Sequence, residues 1–247
     1  MNKYNFIISI LVFYLCTCKV TSLKSENPEK IHESIVSELE KKSYYVKVNT
    51  HKGIKTYVTI YPITIVSEND LINICKLPNL RNLQINNANL PLNYFDHLER
   101  CDLRNLSLFS LDSVPWKDGI ICNLSANINT LDYLHLTNTN ISDHDLKCIS
   151  KFQFFKNLSF EGPAQKFSEE AFCNLMRSEI KINALDLYNL TLTPKMFECL
   201  LDIKGIKTFG FKKIKGRTAS DMKKLEDLYF KKNGRKVTVD VFEYDSP

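Results

Sequence analysis

Apolar residues spaced i, i+3 and i+5 recur six times, as Leu80/Leu83/Ile85, Leu103/Leu106/Leu108, Leu131/Leu134/Leu136, Phe155/Leu158/Phe160, Ile182/Leu185/Leu187 and Ile206/Phe209/Phe211. Successive starts lie 23, 28, 24, 27 and 24 residues apart, and starts two units apart differ by 51 or 52, so the repeating unit reads as a long-short pair. The last two residues of each triplet, two apart, put both side chains on one face of a short strand. Between the strands the period changes. Ser142-Asp143-x-x-Leu146-x-x-Ile149, Ser168-Glu169-x-x-Phe172-x-x-Leu175 and Thr193-Pro194-x-x-Phe197-x-x-Leu200 each supply an N-cap followed by apolar residues at i+4 and i+7, which predicts a helix.

The same rule extends outward. Upstream it gives Val58/Ile60, then Ser67 with Leu71 and Ile74. Downstream, Ser220 is expected to cap a helix carrying Met222, Leu225 and Tyr229, and Asn233-Gly234 to turn into Val237/Val239/Val241. Ahead of the repeats, Asn27-Pro28-Glu29 reads as a helix start, with Ile31, Ile35, Val36 and Leu39 on one face and Lys41-Lys42 at the basic end. Tyr44 to Val48 and Tyr57 to Ile60 read as strands. The chain opens differently: Lys3 precedes an uninterrupted apolar run, Phe6 to Leu15, too short to span a bilayer. This is the pattern of an export signal, with a small-residue cleavage site after Ser22 or, less well, after Cys18. A buried strand fits less well because nothing polar alternates in the run, and Leu15-Cys16-Thr17 is a poor lipid-attachment motif for Cys18.

The triplets resemble the leucine-rich repeat family, whose L-x-x-L-x-L pattern and 20 to 29 residue period they match. The alternating period is most like the ribonuclease-inhibitor-like branch. The resemblance covers roughly residues 54 to 242 and implies an α/β solenoid with a curved parallel sheet on the concave side and helices on the convex side. With the signal read above, the chain divides into three parts: a signal at 1–22, an N-terminal helix-strand cap at 23–53, and the repeat domain with its own C-terminal cap at 54–247. Caps are needed because a stacked core would otherwise end open. One position departs from the family. Three residues after each triplet, where Asn or Cys usually serves the loop backbone, stand Ala88, Leu111, Thr139, Pro163, Leu190 and Ile214. Those loops must satisfy their backbone groups otherwise.

Composition narrows the chemistry. With 44% hydrophobic residues in 247, wholesale disorder is excluded; with 25% charged residues and a mean hydropathy of −0.21, so is a multi-span membrane protein. Only 7 glycines make a set of phosphate-cradling loops improbable, and no cofactor is expected. Beyond the signal stand Cys75, Cys101, Cys122, Cys148, Cys173 and Cys199. They read either as buried thiols locked to the repeat or as three inter-repeat disulfides at a constant separation of 26. The spacing expected between outer helices favours thiols. No C-x-x-C pair exists and no His reads as close enough in sequence to build a zinc site, so no metal site is expected. Sequons at Asn105, Asn123, Asn140, Asn157 and Asn189 permit glycosylation of an exported chain, although so Asn-rich a sequence produces several by chance.

If the register holds, strand residues alternating with the core line the concave face: Tyr61; Asn82, Gln84 and Asn86; Asn105, Ser107 and Phe109; Tyr133 and His135; Asn157, Ser159 and Glu161; Asp186 and Tyr188; and Lys212. Aromatic anchors among neutral polar groups suit a protein partner. Solvated strand residues would look similar, and Phe109 argues most directly against that reading. His135, Ser159 and Asp186 share a column, but a base must lie between nucleophile and orienter and here Ser159 does, so no catalytic residues are expected. From Lys204 onward there are 12 basic and 6 acidic residues. That end reads as a solubilising cap or as a dock for an acidic partner. Nucleic acid is not expected, since Phe209 and Phe211 belong to the core. The expected function is therefore non-catalytic binding of an unidentified protein by a secreted or surface chain with no membrane span in its mature form. The alternative is a structural surface or wall component held by the basic end.

Overall fold

A computed structural model describes residues 28–42, 44–51, 54–62, 67–86, 93, 95–128, 131–162 and 166–242. The expected signal, with Cys16 and Cys18, lies outside them, as do Ala88 and Pro163. The chain divides into two compact units, residues 1–34 and 35–247. Of the first, the described residues are the opening half of helix α1 (Pro28–Lys41), which begins at Pro28 with Glu29 in its first turn.

The second unit is α/β. Its strands are β1 (Tyr44–His51), β2 (Ile54–Pro62), β3 (Leu80–Asn86), β4 (Leu108–Asp112), β5 (Tyr133–Thr137), β6 (Phe154–Phe155), β7 (Asn157–Glu161), β8 (Lys181–Ile182), β9 (Ala184–Tyr188), β10 (Thr208–Lys212) and β11 (Thr238–Phe242). Nine of them form one sheet in chain order, without β6 and β8, which pair separately. Strands β1 and β2 are antiparallel, and from β2 onward every pairing is parallel. A parallel pair needs a crossover. Those crossovers carry α2 (Glu68–Cys75), α3 (Phe95–Leu98), α4 (Ile120–Asn127), α5 (Asp143–Ile149), α6 (Glu169–Arg177), α7 (Pro194–Cys199) and α8 (Ala219–Asn233). Among the described residues no helix is long and apolar enough to cross a membrane.

The core is a ladder of register partners. Leu83, Phe109, Leu134, Leu158, Leu185, Phe209 and Val239 follow one another across consecutive strands and are fully buried. This corrects the second triplet: the strand does not use Leu103/Leu106/Leu108 but Leu106/Phe109/Leu111. Both frames fit the spacing, because apolar residues occur three apart throughout this stretch. The observed frame buries Phe109 and Leu111 in the sheet while Leu103 and Leu106 stay buried just before it, and leaves Leu108 half-buried on the other side. Burying an aromatic ring in place of a leucine decides a three-residue slip. With that frame the starts lie 26, 25, 24, 27 and 24 residues apart, so the long-short alternation does not extend to the first repeats.

Ser67, Ser142, Ser168 and Thr193 each accept a hydrogen bond from a first-turn amide, as the pattern predicts. The last helix starts earlier than expected: Thr218, not Ser220, is its cap, because Asp221 reaches back to complete a capping box. Its C-terminus closes on Gly234 in the left-handed conformation.

The residue just after each of five strands also takes positive φ: Ser113, Asn138, Gly162, Asn189 and Lys213. Ser113, Asn138, Gly162 and Asn189 each donate a backbone hydrogen bond to the last residue of the next strand, Thr137, Glu161, Tyr188 and Lys212 respectively. The ladder thus continues one rung beyond the sheet. Further out, Lys215 donates to the Leu190 carbonyl and Leu192 to that of Lys215, so neighbouring loops satisfy each other where a capping Asn is missing.

The cysteines are bridged, contrary to the favoured thiol reading. Disulfides join Cys75–Cys101, Cys122–Cys148 and Cys173–Cys199, with Cα separations of 4.5, 4.9 and 5.2 Å. The segments that carry them approach more closely than strand-helix spacing suggests, within the range a bridge requires.

Candidate functional site

The sheet face turned away from the core displays three rows set by the pairing register. One row holds Asn82, Leu108, Tyr133 and Asn157. The middle row is Gln84, Ser110, His135, Ser159, Asp186, Gly210 and Asp240, and the third is Asn86, Asp112, Thr137, Glu161, Tyr188, Lys212 and Phe242. Of the expected residues, Asn82, Gln84, Asn86, Tyr133, His135, Asp186, Tyr188 and Lys212 occupy this face, all partly exposed. Tyr61 falls on β2, with its side chain outside the described part of the structure.

Three expected residues do not. Phe109 is fully buried in the core. Ser107 precedes β4 and donates its hydroxyl to Asp132 at 2.9 Å, and Asn105 lies further back, bonded to Asn79 at 3.0 Å. The frame shift replaces them with Leu108, Ser110 and Asp112. The face is consequently more acidic than the sequence reading gave: Asp112, Glu161, Asp186 and Asp240 stand in these rows alongside Lys212.

Its best-organised part spans β5 to β10. Gly210 has no side chain, and a β-carbon there would overlap the Asp186 carboxylate and come within 3.2 Å of the Tyr188 hydroxyl. Glycine in a strand here marks a close approach. Asp186 accepts a hydrogen bond from Asn157 Nδ2 at 2.7 Å, and the Tyr188 phenol lies close enough to feel its charge. Burial first and then the Asp186 charge hold the Tyr188 phenol well above its ordinary range. Asn157 Oδ1 is buried beside the His135 ring without completing a hydrogen bond to it. Burial pushes the His135 imidazole down, outweighing the help of Asn157 and the Asp186 charge. Aromatic edges frame the group: Tyr133 packs edge-on against His135 and Tyr188 against Phe242, with Lys156 Nζ 5.9 Å from the Tyr133 ring centre.

No family model matches this chain, and no curated protein matches it.

His135, Ser159 and Asp186 are indeed adjacent in register, but Ser159 is 8% exposed and lies between the other two. Cavities of about 450 and 420 Å³ lie away from these three: one at the β10–α8 junction beside Phe211 and Arg217 and bordered by Lys212 and Phe242, the other between α5 and α6. What this face offers is hydrogen-bond donors and acceptors around aromatic edges, at fixed positions.

The sequons separate by environment. Asn105, Asn123 and Asn140 are exposed, whereas Asn157 belongs to the Asp186 network and Asn189 is half-buried. Part of the basic C-terminal charge is spent internally: Lys232 pairs with Asp202, Lys224 with Asp221, and Lys223 binds the Val239 carbonyl.

Sequence reasoning passed over Gly210, and it placed Asn157 on the face without its role. A glycine between two core phenylalanines, Phe209 and Phe211, was the available signal for the first. Asn157 reads as a sequon and as a face residue, and only its partner Asp186 across the sheet reveals its role.

Proposed function

We propose that this chain is a secreted, ribonuclease-inhibitor-like leucine-rich repeat solenoid that binds a protein through the concave face of its sheet and carries out no chemistry. Strand order that follows chain order, with a helix in each crossover, supports the repeat reading. The observation that carries the binding reading is the pre-set cluster of Asn157, Asp186 and Tyr188 over Gly210. Ordering these polar groups before contact lowers the entropy cost of binding. The surrounding carboxylates favour a partner segment rich in lysine, arginine or amide donors.

The test is proximity labelling followed by purification of a stoichiometric partner with the mature chain. Support requires that Tyr133→Ala combined with Tyr188→Ala abolish the complex while circular dichroism stays unchanged. A complex indifferent to both substitutions overturns the reading. Release of the chain from cells or walls by high salt alone, with no stoichiometric partner, favours a structural component held by its basic end.

A further inference from the structure

The three disulfides repeat one geometry, which makes their differences informative. In each, the first cysteine's sulfur lies near the carbonyl of the residue four before its partner: His97 for Cys75, His144 for Cys122 and Lys195 for Cys173. At the first bridge the His97 ring is turned away and its Nε2 is 2.7 Å from Glu68. At the third the residue is a lysine. Only at the second does the ring face the sulfur, with His144 Nε2 3.3 Å from Cys122 Sγ.

Cys122 Sγ, Cys148 Sγ and the His144 ring nitrogen all lie within 4.8 Å of one another. Zinc bonds of about 2.3 Å to sulfur and 2.0–2.1 Å to nitrogen put tetrahedral S and N donors about 3.6 Å apart. The His144 separation is already close to that. His144 and Cys148 are four apart on α5 and so share a face, and Cys122 comes from the neighbouring α4. Asp118 Oδ2 stands 3.7 Å from His144 Nδ1, and Asp118 is itself held by the Ser142 hydroxyl. A carboxylate on the far ring nitrogen is the usual outer partner of a zinc-bound histidine.

We propose that the Cys122–Cys148 bridge is a redox-gated zinc site: reduced, it binds Zn²⁺ through Cys122, Cys148 and His144, with water completing the tetrahedron. Oxidised, the sulfurs are bonded to each other and hold no metal. A trialkylphosphine opens the bridge by attacking one sulfur. The S–S bond breaks, phosphorus is oxidised, and water supplies the oxide oxygen and the two thiol protons. Zinc then displaces both protons from the thiols. Cys122 lies 22 residues before His144, which hid the third ligand; the packing of α4 on α5 brings it to the other two.

The experiment titrates Co²⁺, a spectroscopic stand-in for zinc, into the full chain before and after phosphine reduction, with zinc competition. The reduced chain is expected to give tetrahedral visible bands at one equivalent, and the oxidised chain none. His144→Ala is expected to weaken binding by more than the roughly 10–100-fold typical of losing an outer-shell partner. His97→Ala, at the equivalent place beside the first bridge, is expected to leave it unchanged, and His144→Cys to restore it by supplying a third thiolate. Circular dichroism of each reduced variant checks that the fold is retained. Equal effects of the two alanine substitutions, no effect of either, or equal binding by the oxidised chain overturns the proposal.

Discussion

Asp186 lies over Gly210 on the adjacent strand, in space that any side chain at position 210 would occupy. The glycine is therefore what lets Asp186 meet both Asn157 and Tyr188. Gly210→Ala is expected to displace the carboxylate without unfolding the sheet, since Gly210 is not among the residues of positive φ. In ¹³C-tyrosine NMR the Tyr188 phenol, held high first by burial and then by Asp186, should titrate at lower pH in Gly210→Ala than in the parent. An unchanged titration would mean that the carboxylate does not depend on this gap.

The strand frame at β4 is decided by one substitution pair. Phe109→Ala should cost roughly 3–5 kcal/mol, the range for a buried aromatic. Leu108→Asn, on the open face, should cost far less. Urea denaturation of the two variants separates the frames, and the opposite order would restore Leu108 to the core.

Gly162 follows β7 with φ 127°, and a β-carbon there would approach the Asn138 backbone to 3.0 Å. Gly162→Ala should destabilise by about 1–3 kcal/mol through strain and crowding. A chemical-denaturation midpoint equal to the parent's would contradict the ladder that continues past the strands.

Replacing Cys173 and Cys199 together by serine opens a loop closed across 26 residues. On the chain-entropy scale that removes roughly 3.5 kcal/mol. Thermal melts measure the loss. Non-reducing peptide maps should recover all three pairs at the same separation, and any other connectivity is incompatible with this fold.

His135 has a pKa below its ordinary 6.5 because burial disfavours the imidazolium. The native state thus binds fewer protons than the unfolded chain between the lowered value and 6.5. Its contribution to stability is fully present above 6.5 and is lost as pH falls through the folded pKa. His135→Gln should flatten that part of the stability profile, measured by urea midpoints from pH 7.5 to 5. A profile as steep as the parent's would assign the dependence to another group.

Much of the architecture is legible in order along the chain, because strand period, helix period and capping residues are local properties. Leu134, Leu158 and Leu185, together with the caps at Ser142, Ser168 and Thr193, follow from spacing alone. Local pattern fails where two frames satisfy it equally. Around β4 leucines three apart make both registers acceptable, and only the burial of Phe109 against its neighbouring strands distinguishes them. The cysteines fail for another reason: their constant separation is visible, but whether two sulfurs meet depends on how closely adjacent segments approach. The same holds for the open face. Asn157, Asp186, Tyr188 and Gly210 span more than fifty residues, and nothing in their neighbours in sequence predicts contact. Sequence determined the strands, the helices and the alternation that buries one face of the sheet, since these follow from side-chain periodicity. Register already placed His135, Ser159 and Asp186 in one column; tertiary structure alone decided which side chains on that face bond, Asn157 to Asp186 over Gly210, because this depends on how closely residues a whole repeat apart approach.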